Sequence, residues 1–162
     1  MSSTDYIISA VLVLLVIPQI RGTKLTFRNL VIPLALVAAA AAYYLKGVPT
    51  TGNDVKLDVV TVVLGAAIGI GCAVTTRLQR ADGGVVAKAG LLAAALWIVG
   101  MLSRTGFVYA VNHGYAKQIA DFSRTELITG AEAWTAALVL MALAQVVARQ
   151  LVLRVRALAV SA

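Results

Sequence analysis

Five apolar stretches divide this chain, and its basic residues gather in every second gap between them. The stretches run over 6–20, 29–45, 59–76, 89–111 and 127–148. In lipid every backbone amide needs an internal partner, so such stretches cross as helices. The alternating pattern of barrel strands is absent. Of the 162 residues, 60% are hydrophobic and 13% charged, with a mean hydropathy of +0.91. A soluble domain is about half apolar and about a quarter charged. The surplus cannot be hidden in one small soluble core, because too much of a small domain's area faces outward. The expected fold is therefore all-α: one polytopic membrane bundle of five transmembrane helices.

The basic residues give an expected orientation. The gaps after the first and third stretches and the C-terminal tail hold Arg21, Lys24, Arg28, Arg77, Arg80, Lys88, Arg149, Arg154 and Arg156. The other gaps hold Lys46, Lys56, Lys117 and Arg124. This bias places the N-terminus outside and the C-terminus in the cytoplasm of a bacterial inner membrane. Met1 to Asp5 carries no Lys or Arg, and no small-residue cleavage site follows the first stretch, which reads as a retained helix. The net charge of +7 sits at the ends of apolar segments and forms no long run, which argues against nucleic acid as a partner. Membrane lipids are the expected partner.

The gaps carry turn signals. Gly47, Pro49, Gly52 and Asn53 mark one, Asp82-Gly83-Gly84 another, and Gly114 a helix stop. Tyr115, Ile119 and Phe122 form one stripe of a short helix, which fits a helix lying on the membrane surface over 115–122. An ordered loop is the alternative.

Arg104 stands inside the fourth stretch, 16 residues beyond Lys88 and nine before His113. A charge at that depth costs about 2.5–3.5 kcal/mol on insertion scales, so it should face protein, water or a partner. Three acids share its half of the membrane: Asp58, Glu126 and Glu132. Antiparallel fourth and fifth helices would bring Arg104 and Glu132 to similar depth. One reading is an ion pair that fixes packing. The other is a site for an anion or lipid headgroup with Arg104 as the fixed charge.

Thr129-Gly130-Ala131-Glu132 fits a capping box, as does Ser123-Arg124-Thr125-Glu126, and either could open the fifth helix. Gly65 and Gly69 form G-x-x-x-G, which lets backbones approach closely within the monomer or across a homodimer. Another membrane protein is the further partner considered. His113 is the one histidine and Cys72 the one cysteine. No zinc-type ligand cluster, dithiol pair, phosphate loop or nucleophile–base pattern occurs. No catalytic residue, metal or cofactor is expected. Arg149, Arg154 and Arg156, with apolar residues between, fit contact with anionic lipid or a simple stop signal.

Two segments carry a resemblance. They are Thr76-Arg77-Leu78-Gln79-Arg80-Ala81-Asp82-Gly83-Gly84-Val85-Val86-Ala87-Lys88 and Trp97-Ile98-Val99-Gly100-Met101-Leu102-Ser103-Arg104-Thr105-Gly106-Phe107. The chain over 11–107 resembles the CcdC-like family of small bacterial membrane proteins, with Arg77, Asp82, Gly83, Lys88 and Arg104 at the matching positions. The resemblance implies an accessory role, linked through the family's namesake to cytochrome c maturation, with no defined catalytic residues. The segment 112–126 departs from the family pattern. The expected function is a non-enzymatic accessory or scaffold protein. The alternative is a binding or transport protein with a polar pocket around Arg104.

Overall fold

The computed structural model of the chain describes residues 23–24, 35, 38–39, 42, 51–81 and 84–161. The first two expected spans, 6–20 and 29–45, lie outside the described residues except for four isolated positions, 35, 38, 39 and 42. In chain order the elements are strand β1 (Thr23–Lys24), helix α1 (Asp54–Thr75), strands β2 (Thr76–Ala81) and β3 (Gly84–Ala89), then helices α2 (Leu91–Ala110), α3 (Ala116–Thr125) and α4 (Ala131–Ser161).

Among the described residues three helical stretches are long and apolar enough to cross a membrane: Asp54–Thr75, Leu91–Thr125 and Ala131–Val160. Their packing is inverted relative to a soluble protein. Small residues fill the interior: Cys72, Ala73, Ala93, Ala94, Ala133, Ala136 and Ala137 are all buried. Large side chains point away, with Val59 56%, Val63 61%, Leu92 62%, Leu102 62% and Leu151 60% exposed. In water each such side chain would cost about 1.5–3 kcal/mol relative to burial. In lipid that penalty vanishes, and close backbone approach drives association.

The glycines of α1 show that approach. A methyl group added at Gly65 would run into the carbonyl oxygen of Met141, and one at Gly69 into that of Gln145. These four-residue steps match on both helices, so α1 and α4 run parallel in constant register. Helix α2 runs antiparallel to both. Its start is tied to the end of α1 by the Cys72 thiol, which donates to the Ala93 carbonyl at 3.6 Å.

Four expectations need correction. The chain is not all-α, because an antiparallel sheet with order β1-β3-β2 joins α1 to α2. Thr76 pairs with Ala89, Leu78 with Ala87, and Ala81 with Gly84. In sequence the Asp82-Gly83 pair stands between these two strands. β1, in the first basic gap, adds to β3 with Thr23 opposite Ala87 and Lys24 opposite Val86. The sheet buries Thr76, Ala87 and Ala89 and exposes Arg77 and Lys88.

The third span starts at Asp54 rather than at 59, so Asp58 lies inside α1. The last helix runs from Ala131 to Ser161 instead of 127–148. Its 31 residues span about 46 Å, more than the roughly 30 Å of hydrocarbon. The excess passes beside the sheet, where Arg80 Nε donates to the Val160 carbonyl at 2.6 Å.

Neither capping box forms. Helix α4 begins one residue after Gly130, whose carbonyl accepts from Trp134 N–H at 3.3 Å. The Thr129 hydroxyl donates to Asp54 instead. Ser123 sits within α3, its hydroxyl donating to the Ile119 carbonyl at 2.7 Å.

Candidate ligand-binding site

One stripe of α2 carries the polar chemistry. Trp97, Gly100 and Arg104 fall within an arc of about 60° at 100° per residue, and Trp97 and Arg104 are about 10 Å apart along the axis. Three contacts show that this stripe faces α4. The Arg149 guanidinium carbon lies 5.4 Å from the Trp97 ring centroid. A methyl group at Gly100 would stand 2.7 Å from Gln145 Nε2. Phe107 stacks on Trp134 with centroids 4.7 Å apart.

The same contacts explain why Arg104 and Glu132 do not pair. They set Arg104 opposite the level between Trp134 and Gln145, where Ala137 and Met141 are buried. Glu132 lies on the first turn of α4 and is exposed. Equal depth was the wrong register, because Phe107 opposite Trp134 leaves Glu132 beyond the level of Arg104. Among the described residues Arg104 makes no ion pair, and its buried Nη1 has no hydrogen-bond partner.

Arg104 does not stand alone. Gln145 is 1% exposed, and neither its Oε1 nor its Nε2 has a partner. Trp97 Nε1 is likewise buried and unpartnered. Of the buried unpartnered groups in the α2–α4 seam, three can donate (the Arg104 guanidinium, the indole N–H and the amide NH₂) and one, Gln145 Oε1, accepts. Buried polar groups normally find partners, and a failure to do so points to function or bound water. Donors outnumber acceptors and the fixed charge is positive. The seam suits an acceptor-rich, negatively charged group. Sequence reasoning passed over Gln145, although it is the one amide side chain in the expected fifth span.

The other expected site residues are dispersed. Asp58 lies in the second turn of α1. Glu126 is the residue after α3, and its carbonyl accepts from Asn53 Nδ2 at 2.9 Å. His113 Nδ1 lies 3.0 Å from the Tyr109 carbonyl, and its ring stacks on Tyr109 at 3.8 Å. His113 and Gly114 leave helical geometry (φ −122° and +101°) and break the chain between α2 and α3. Among the described residues no three His, Cys, Asp or Glu side chains group as metal ligands.

Among the C-terminal arginines, Arg149 and Arg156 make contacts inside the protein. Arg149 packs on Trp97. Arg154 is exposed. Arg156 Nη1 donates to the carbonyls of Ala73, Val74 (3.1 Å) and Thr76 (2.9 Å). Those carbonyls lie at the negative end of α1, and a guanidinium there meets their open lone pairs and the helix dipole.

The opposite end of α1 is held by a buried carboxylate. Asp54, 1% exposed, accepts from Thr129 N–H at 2.8 Å and from the Thr129 hydroxyl. Comparison with known protein families, with curated proteins and with solved structures finds no match.

Proposed function

We propose that this chain is a small multi-pass membrane protein of the bacterial inner membrane that binds an anionic group in the α2–α4 seam. It has five spans, an external N-terminus and a cytoplasmic C-terminus. Arg104 supplies the fixed charge. Trp97 and Gln145 supply neutral hydrogen bonds, and the ligand is an anion or the headgroup of an anionic lipid. The observation that carries this reading is the buried Arg104 Nη1 without a partner, in a helix long and apolar enough to cross a membrane. A charge held in that position for packing alone would recruit a carboxylate, since leaving it bare costs several kcal/mol. The accessory role implied by the CcdC-like resemblance is compatible, because a ligand-holding protein can serve another assembly. No catalytic step is part of the proposal.

The test is native mass spectrometry of the full chain released from nanodiscs containing phosphatidylglycerol and phosphatidylethanolamine. A phosphatidylglycerol adduct that survives activation in the wild type and in Arg104→Lys, and is lost at least tenfold in Arg104→Gln, supports the site. Equal retention in wild type and Arg104→Gln refutes it.

A further inference from the structure

A second site lies at the outer end of the same helices. Between the end of α2, the whole of α3 and the first turns of α4 is a cavity of about 400 Å³, within the usual range for small-molecule sites. Its wall is apolar, formed by Phe107, Val111, Ile119, Trp134 and Leu138 among others. Ser123, Asn112 and Thr135 in the wall already bond within the protein. Ser123 donates to Ile119 and accepts from Trp134 Nε1 at 2.9 Å. Asn112 Nδ2 donates to the Val108 carbonyl at 2.7 Å, and the Thr135 hydroxyl to that of Ala131 at 2.9 Å. Whatever enters gains little from hydrogen bonding and must be apolar.

The rim is different. Arg124 lines the cavity, yet its side chain is 83% exposed and touches Asp121 only at 3.8 Å. An exposed pair at that distance is worth little, so the guanidinium is available to an anion. The depth suits an amphiphile. Helix α2, 20 residues long, covers about 30 Å, the thickness of the hydrocarbon layer. The chain then breaks at Gly114 and turns into α3, so the cavity straddles the boundary between acyl chains and headgroups.

We infer that this cavity binds a single acyl chain bearing an anionic head, the chain seated against Phe107, Ile119 and Trp134 and the head at Arg124. The seam around Arg104 lies about a turn deeper and is a separate site.

The test is photolabelling of the full chain in nanodiscs with diazirine-bearing palmitate, and with its methyl ester, read by peptide mass spectrometry. Labels should concentrate on 107–138 and be competed by unlabelled palmitate. Ala120→Phe, which fills the cavity, should cut labelling there at least tenfold. Arg124→Glu alters only an exposed side chain and keeps the test alive if the first variant does not fold. It should cut palmitate labelling severalfold and leave the ester unchanged. A diazirine lysophosphatidylglycerol run in parallel tells a lipid source from a free fatty acid. Labels spread evenly over the apolar faces of α1, α2 and α4, or palmitate and ester labelling alike in wild type and Arg124→Glu, would overturn the proposal.

Discussion

Asp54 binds Thr129 twice, through its backbone N–H and its hydroxyl, and so clamps the first turn of α1 to the loop that opens α4. The clamp is reinforced beside it. Asn53 N–H donates to the Leu127 carbonyl at 3.0 Å, and Thr51 and Thr129 hydroxyls meet at 2.8 Å. A buried carboxylate with these partners is stabilising, whereas one stripped of them is costly. Asp54→Ala should cost about 1.5–3 kcal/mol. Thr129→Val should cost a similar amount, and the double variant clearly less than the sum. Thermal unfolding in detergent measures this, and additive losses would refute the clamp.

Gly106 of α2 should respond with the opposite sign to Gly65 and Gly69 of α1. In a helix interior Gly→Ala normally stabilises by about 0.5–1 kcal/mol. Gly106 has nothing within 4 Å of an added methyl group, so Gly106→Ala should gain that amount. At Gly65 and Gly69 the methyl would strike backbone carbonyls of α4, and the same change should destabilise. Melting temperatures of the three variants decide it. A gain at Gly69 would mean that α1 and α4 do not touch there.

Removing Arg156 should loosen the far end of α1. The carbonyls of Ala73, Val74 and Thr76 each lose the Arg156 contact in Arg156→Met, at a cost of about 1–3 kcal/mol. Arg156→Lys should recover only part, because the ammonium is more strongly hydrated and costs more to bring to these carbonyls. Hydrogen exchange should quicken over 70–78 and remain unchanged near 54–58. Uniform exchange along α1 would show that the cap carries no local stability.

Gln145→Met should raise stability. The amide holds two buried atoms without partners, each costing about 1–3 kcal/mol. The thioether fills similar space with none. The same variant should weaken the phosphatidylglycerol adduct. Loss of stability instead of gain would show that the amide is bonded in the membrane.

Much of this molecule is legible from residue order alone. Hydropathy places α2 within two residues of its bounds, and Gly114 marks the break that follows it. The basic gap after the third stretch reads as a turn, but its strands were hidden among helices. Thr76, Leu78, Val85, Ala87 and Ala89 alternate inward with Arg77, Gln79 and Lys88 outward, and Asp82-Gly83 is a hairpin signal. Such a short run carries little weight beside apolar helices. Glu132 was placed near the depth of Arg104 because the fifth span was started at 127. The helix begins at Ala131, so Glu132 stands on its first turn, while Arg104 lies well over a turn inside the end of α2.

Solvent preference is a property of each side chain, so the order of residues suffices to mark stretches long and apolar enough to cross a membrane and to find most of the bases outside the apolar stretches. Which helices touch, and at what level, depends on where a glycine lets a carbonyl in. Carbonyls carry no residue code. Packing therefore chose Met141 and Gln145 to meet Gly65 and Gly69, gave Arg156 to the end of α1, and left Arg104 without a carboxylate.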